Sequence, residues 1–404
     1  MKQAASKSKS FYNSIIPKDW ELLTIGKLIK FSGGSQPPQK VFINEEREGY
    51  IRLIQTRDYR TNKYKTYIPI GMVKKTCGED DIMIGRYGPP IFQIFKGLKG
   101  AYNVALIKAT PNSKVNKNYC FYYLTRTELR KYLEGLSQRS GGQTGIDIEK
   151  LNDYPFPLPP LQEQKAIANI LSTWDNAIDK TKKLIVQLQH RNKWLMQQLL
   201  CGEKRLKRLS NEKWEKKKLG DCLTYSPREV PKPNSSFFAL GIRSHGKGIF
   251  HKNDFEPEDL AMDVLYEVKE NDLIVNITFA WEQAIAIAGK QDDGGLVSHR
   301  FPTYTFKTEN AVPDFFRYFI LQKHFKYQLD LISPGGAGRN RVMSKKDFPK
   351  IELVIPSVEE QKTIASVLNT AFKELSFHQN KLEALKNQKK GLMQLLLTGK
   401  QRLK

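Results

Sequence analysis

The chain has 404 residues, 40% of them hydrophobic, enough for roughly two to four domains with real cores. Its 66 Lys and Arg outnumber its 42 Asp and Glu, and the resulting +24 points to nucleic acid or an acidic membrane face as partner. No apolar run approaches the ~18 residues of a bilayer span, and Cys77, Cys120, Cys201 and Cys222 show neither C-x-x-C spacing nor a paired framework, so a cytoplasmic chain with reduced thiols is expected.

Residues 1–16, opening MKQAASKSKSFYNS, read as a flexible basic arm. A globular region, 17–157, follows. It holds DWELLTIGKL (19–28), then IRLIQTRDYRTNKYK (51–65), a β-like run joined to a polar loop. EDDIMIGRYG (79–88) is an acidic turn leading into a β-rich run, and FYYLTRTELRKYLEGLSQRSGG (121–142) is an aromatic helix running into a glycine loop. YPFPLPP (154–160) passes through a strand to a Pro-flanked helix start.

Residues 158–208 are predicted to form a long helix opening LQEQKAIANIL (161–171). Its stripe is Ile167, Leu171, Trp174, Ile178, Thr181, Ile185, Leu188, Asn192, Leu195 and Leu199. Steps alternating between four and three keep that stripe on one face and ask for a supercoiled helical partner. Gly202 suits a left-handed cap, and a basic tail follows it.

A second globular region, 209–353, repeats the plan. KWEKKKLGDC (213–222) echoes DWELLTIGKL, with Trp214 on Trp20 and Gly220 on Gly26. FFALGIRSHGKGIFHK (237–252) corresponds to the run at 51–65, and ENDLIVNITF (270–279) to the acidic turn. FFRYFILQKHFKYQLDLISPGG (315–336) matches the aromatic helix, and FPKIELVIP (348–356) the strand before the long helix. The last region, 354–404, opens its helix with VEEQKTIASVL (358–368). Its stripe is Ile364, Leu368, Ala371, Leu375, His378, Leu382, Leu385, Lys389, Leu392 and Leu396, stopped by Gly399.

The two helix starts align without a gap, Gln164 on Gln361, Ile167 on Ile364, Leu171 on Leu368, and MQQLLCGEKRLK (196–207) matches MQLLLTGKQRLK (393–404) in the same register. This is an internal duplication. Helices of matching length, roughly 60 Å each, most simply pack on each other; the alternative lays each on its own domain. Polar residues interrupt both stripes at equivalent places, Thr181 with His378 and Asn192 with Lys389. They either fix the register or mark where the seam opens to water.

Reactive motifs are missing. There is no P-loop, FKGLKG (95–100) lacks the strand–helix context of a dinucleotide site, and GPPI (88–91) is not the Asn/Asp-Pro-Pro-aromatic motif of amino-methyltransferases. Glu267, Val268 and Lys269, with Asp259 and Asp263 upstream, make a metal-nuclease pattern only by force, and the six histidines lack metal spacing. Catalytic and metal-binding residues are therefore expected to be none.

Binding groups are more plentiful. The loop at 51–65 offers Arg57, Tyr59, Arg60, Asn62 and Lys63; Arg86 follows the acidic turn. The second half offers Arg243, Ser244, His245 and Lys247, then His299 and Arg300 in GLVSHRF (295–301). The glycine loops SQRSGGQTG (137–145) and SPGGAGRNR (333–341) add Arg139, Gln143, Arg339, Asn340 and Arg341. Arg suits guanine and Asn or Gln suits adenine, Lys and Tyr hold phosphates, and glycine lets backbone amides come close to them.

Two variable regions, each followed by a helix beginning PLPPLQEQKAIANIL or VIPSVEEQKTIASVL and ending in LLxG plus a basic tail, resemble the specificity (S) subunits of type I restriction–modification enzymes. The resemblance implies an α+β fold: two tandem mixed α/β target recognition domains separated by two long helices in an antiparallel coiled coil, with a pseudo-twofold internal repeat. It implies a non-catalytic chain that reads an asymmetric bipartite double-stranded DNA target. Two methyltransferase (M) subunits and two restriction/translocase (R) subunits would dock on it. No cofactor belongs to this chain; S-adenosylmethionine, ATP and Mg2+ would sit in the partner subunits. Rival readings are a stand-alone nucleic-acid-binding scaffold, a fused enzyme, and the specificity subunit of a related methylating system.

Overall fold

The computed structural model describes residues 10–11, 14–88, 90–137, 145–205, 213–335 and 341–403. The chain forms two compact units, one from 1–182 with 380–404, the other from 183–379.

The first unit begins with two short paired strands, β1 (Ser10–Phe11) and β2 (Ser14–Ile15). Then come β3 (Glu21–Thr24), the one-turn helix α1 (Ile25–Leu28) and β4 (Ile29–Gly33). Strands β5 (Tyr50–Ile54), β6 (Tyr67–Pro69), β7 (Thr76–Cys77), β8 (Ile82–Gly85), β9 (Gln93–Phe95), β10 (Gly100–Tyr102) and β11 (Leu106–Pro111) follow. Helices α2 (Lys117–Leu124), α3 (Thr127–Ser137) and α4 (Ile148–Asp153) precede β12 (Pro155–Leu158), which pairs with β3. One sheet runs β4-β11-β8-β9, antiparallel throughout; the other runs β6-β5-β10-β7, with β5 and β10 parallel. All four residues of β8 are buried, as befits an uninterrupted apolar strand covered on both faces. The Asn116 side chain caps α2 by accepting the N–H groups of Asn118 and Tyr119, both at 3.1 Å.

The second unit contains β13 (Glu215–Lys218), α6 (Leu219–Cys222), β14 (Leu223–Tyr225), β15 (Glu229–Pro231), β16 (Phe237–Ile242) and β17 (Ile249–Phe255). It continues with β18 (Val264–Glu267), β19 (Leu273–Val275), β20 (Ile285–Ile287), β21 (Leu296–Val297) and β22 (Thr303–Phe306). Helices α7 (Pro313–Phe319) and α8 (Lys323–Leu331) lead to β23 (Glu352–Ile355), which pairs with β13. Its sheets run β14-β22-β19-β20 and β15-β18-β21-β16-β17, with β16 and β21 parallel. Apart from the added edge strand β15, this is the strand order of the first unit. The duplication is one scaffold built twice.

The long helices are α5 (Leu161–Leu200) and α9 (Val358–Leu396), and each contributes half its length to each unit. Within each unit the two segments run antiparallel. In the first, Lys389 donates to Asp175, while Arg402 beyond α9 reaches back to Glu163 in the first turn of α5. In the second, Arg191 pairs with Glu374 at 2.8 Å, while Arg205 beyond α5 reaches Glu360 in the first turn of α9. Seam residues Ile167, Leu171, Ile178, Ile185, Leu188, Leu199, Ile364, Leu368 and Leu396 are buried; Trp174, Leu195, Leu375, Leu382, Leu385 and Leu392 are half-buried.

The polar interruptions behave differently from one another. Asn192, 1% exposed, donates across the seam to the Ala371 carbonyl at 3.0 Å. Lys389 crosses to Asp175, which also accepts the Tyr122 hydroxyl at 2.8 Å. These two bonds exist in one register only. Thr181 donates to its own helix at the Ala177 carbonyl, and the buried Nδ1 of His378 finds no partner.

Both helix starts are tied to the globular part of their own unit in the same way. Gln164 accepts the Asn116 N–H at 2.7 Å and donates to the Lys114 and Pro159 carbonyls at 3.0 and 2.9 Å. Gln361 accepts the Val312 N–H at 2.9 Å and donates to the Asn310 and Pro356 carbonyls, both at 3.0 Å. The glutamate before each glutamine accepts an indole N–H, Trp20 on Glu163 and Trp214 on Glu360. The repeated Glu-Gln pair is thus the joint between helix and globular region.

Candidate nucleic-acid interface

In the first unit the segment after β5 turns through a 3-10 helix, Thr56–Tyr59, into the loop before β6. Buried Asp58 organises it. Its carboxylate accepts the Gln55 N–H at 2.7 Å and the Arg52 guanidinium at 3.1 Å, and Arg52 also donates to the side-chain Oδ1 of Asn62 at 3.0 Å. Exposed Arg57 is steadied by one bond to Thr66, leaving most of its fork outward. Exposed Arg60 donates at 2.6 Å to Gln93, the first residue of β9, linking this loop to the end of the β8–β9 loop. Arg86 lies in that loop with its guanidinium over the Tyr87 ring, and Lys63 stands over Tyr64. Arg57, Arg60, Asn62, Lys63 and Arg86 therefore share two adjoining loops, interleaved with two exposed tyrosines.

In the second unit the β16–β17 turn occupies the corresponding place. Arg243 lies over Phe250, and His245, Gly246 and Gly248 take positive φ of 63, 64 and 78°. The turn docks on the β19–β20 loop: the His245 and Gly246 N–H groups donate to the Glu282 and Gln283 carbonyls at 2.6 and 3.0 Å. Glycine at 246 suits its positive φ, and a Cβ there would lie 2.6 Å from the end of the Leu321 side chain, which would have to move. Exposed Lys247 extends beyond the turn. His299 and Arg300 are exposed on the loop after β21; the Arg300 carbonyl accepts the Ile277 N–H at 3.0 Å and Lys345 donates to the His299 carbonyl. Arg243, His245, Lys247, His299 and Arg300 thus gather around the 277–283 segment.

Two expected contacts have other work. The Tyr59 ring stacks on Phe95 at 4.4 Å and 9°, and its hydroxyl is buried without a partner, so it belongs to the small core beneath the loop. Burial pushes that phenol well above its ordinary range. Arg341 donates to the Ser333 and Asp330 carbonyls, both at 3.0 Å, pairs with the Asp330 carboxylate and covers the Trp281 ring, closing the end of α8. Arg139, Gln143, Arg339 and Asn340 lie outside the described residues.

Conversely, the sequence alone does not mark Arg52, Asp58, Tyr64, Tyr87, Gln93, Glu282 and Lys345. Gln55 and Asp58 did carry a signal: their i, i+3 spacing is that of a capping box. The others depend on partners distant in sequence.

Among the described residues no group of three or more His, Cys, Asp and Glu could hold a metal ion. Glu267 and Lys269 pair with each other at 2.5 Å. Burial pushes the Cys77 and Cys222 thiols up to about 11, the opposite of an activated nucleophile. No helix among the described residues is long and apolar enough to cross a membrane.

The family model described as type I restriction modification DNA specificity domain matches residues 17–190 and again 211–387. The chain is 28% identical over 417 residues to the type I restriction enzyme MjaVIII specificity subunit of Methanocaldococcus jannaschii, covering 98% of this chain and 96% of that one. The crystal structure of the type I restriction-modification S subunit from M. genitalium superposes with a TM-score of 0.59 at 15% identity, covering 96% of this chain and 98% of that one. A structure described as underlying complex assembly and conformational transition of the type I R-M system matches at TM-score 0.56 and 12% identity, covering 96% and 99% of the two chains. The chain belongs to the type I restriction modification DNA specificity domain family, that of the specificity subunits of type I restriction enzymes.

Proposed function

We propose that the chain reads an asymmetric, bipartite double-stranded DNA target and docks two methyltransferase and two restriction subunits, which carry S-adenosylmethionine, ATP and Mg2+. The two readers are residues 17–157 and 209–353; the helical regions 158–208 and 354–404 dock the partners. One observation carries the reading: a single strand order and a single set of Glu-Gln anchors occur twice, while the loops at equivalent places carry unlike side chains. Arg57, Arg60, Asn62, Lys63 and Arg86 read one half-site, and Arg243, His245, Lys247, His299 and Arg300 read the other. Arg139, Gln143, Arg339 and Asn340 add phosphate contacts from the glycine loops. Guanidinium forks meet guanine O6 and N7 in the major groove, while lysines and backbone amides hold phosphates and set the position. Docking of partners is supported by the relative solved in the context of type I complex assembly.

Methylome sequencing of cells expressing this chain with its methyltransferase partner tests the proposal. Two unlike half-sites separated by an unread spacer are expected, and methylation there disappears without the chain. A continuous palindrome, or methylation independent of the chain, overturns it. Copurification with both partner subunits tests the docking.

A further inference from the structure

Each unit contains one side-chain bond joining its two neighbouring candidate reading loops, and the two bonds have opposite polarity. In the first unit Arg60 of the β5–β6 loop donates to Gln93, the first residue of β9 at the end of the β8–β9 loop. The Gln93 amide donates in turn to the Pro90 carbonyl at 2.9 Å, which leaves the remaining guanidinium N–H groups as the outward chemistry. In the second unit Ser244 of the β16–β17 turn donates to Glu282 of the β19–β20 loop at 2.7 Å. The outward chemistry there is carboxylate and hydroxyl lone pairs, all acceptors.

That carboxylate is out of keeping with its setting. The chain carries +24, and Arg243, Lys247, Arg300 and Lys345 stand on adjoining loops. Yet no Arg or Lys among the described residues pairs with Glu282 within 4 Å; Ser244 is the side chain that bonds it. Glu282 is also held rigidly. It ends a 3-10 turn, Ala280–Glu282, whose next residue Gln283 takes φ of 63° and donates to the Ile320 carbonyl at 2.8 Å, and its own carbonyl accepts the His245 N–H. A fixed carboxylate repels phosphate, but it is a good acceptor for an exocyclic amino group.

Resting on the DNA-reading role proposed above, we infer that Glu282, with Ser244 beside it, is a specificity-determining residue that accepts a hydrogen bond from the amino group of cytosine or adenine on the contacted strand and rejects guanine and thymine. Guanine and thymine place the O6 or O4 acceptor there, which would face a carboxylate with no proton between them. The first unit, presenting Arg60 at the equivalent junction, selects the opposite edge chemistry, so the two half-sites differ in kind at this place.

The test is methylome sequencing of the complete complex with wild-type chain, Glu282→Gln and Ser244→Ala. Glutamine is isosteric, can still accept from Ser244, and offers both donor and acceptor to a base. Glu282→Gln is expected to relax one position of a single half-site, lowering cytosine-or-adenine selectivity there by about ten- to a hundredfold. Ser244→Ala, which keeps the carboxylate, is expected to retain the selectivity. An unchanged motif in Glu282→Gln overturns the inference. So does an equal loss at both half-sites, which marks Glu282 as a brace for the turn. Failure of the wild-type complex to show a second half-site would instead remove the DNA-reading role itself.

Discussion

Nε of Arg402 donates to Oε1 of Glu163 at 2.8 Å, so the tail beyond one long helix closes on the first turn of the other. The same guanidinium grips Asp19 at 2.6 and 2.8 Å. Burial works to raise the Glu163 carboxyl, but the hydrogen bonds from Arg402 and Trp20 outweigh it and hold the group below its usual range. Arg402→Ala leaves that buried carboxylate with fewer donors and should cost about 1–3 kcal/mol. Arg402→Lys should recover only part of this, since an ammonium cannot reproduce the fork. Urea unfolding of both variants checks the order; equal stability of Ala and wild type would reduce the pair to an ornament of the surface.

Asp81 predicts an acid-sensitive contribution to stability. Burial pushes its carboxyl up, but Lys117 at 2.8 Å, the Gly78 N–H and Lys108 at 3.1 Å bring it down to about 2 from an ordinary 3.8. A depressed folded-state value means the contribution is whole above pH 3.8 and is lost as the pH falls toward 2. After allowance for solvent screening it amounts to about 1–2 kcal/mol. Asp81→Asn should lower stability at neutral pH and flatten the unfolding free energy between pH 4 and pH 2, measured by denaturant titration at each pH.

Tyr59→Phe should raise stability by about 1 kcal/mol, because it removes a buried hydroxyl that lacks a partner while keeping the stack on Phe95. Thermal unfolding reads the gain. DNA binding by the same variant should match wild type, and a loss of affinity would return Tyr59 to the reading surface.

Arg57 and Arg300 should separate from Lys63 and Lys247 in how they fail. Replacing either arginine by Ala should cost about 1–3 kcal/mol at one base position. Replacing either lysine should weaken all sequences alike and reduce the slope of log affinity against log salt by about one. Fluorescence anisotropy on matched and mismatched duplexes across a salt series distinguishes the two patterns, and uniform loss for an arginine makes it a phosphate contact.

Much of the fold could be read from the sequence because its signals are local and occur twice. Gln164 and Gln361 stand at the same step of the same phrase, and the seam stripes hold one period over their whole length. The loops proposed to read DNA resist such treatment. Tyr59 has the residue type of a surface contact, and only the approach of Phe95 from another strand turns it inward. Arg341 sits in a polar, glycine-rich phrase that reads as an open loop, but its guanidinium lies within reach of Asp330 at the end of α8. Glu282 belongs to no periodic pattern; its role depends on a turn docking from β16 and β17. Where a side chain's partner comes from another element, composition names the chemistry but cannot assign the address.

The glutamine anchors carry a consequence for how such chains change over time. Every side-chain bond made by Gln164 and Gln361 ends on main-chain atoms, at residues 114, 116 and 159 in one case and 310, 312 and 356 in the other. A coupling that grips only peptide groups is indifferent to the side chains hung on them. Side chains at those six positions can therefore change without breaking these bonds, whereas the Trp20–Glu163 and Trp214–Glu360 bonds of the same joint tie it to two particular residues.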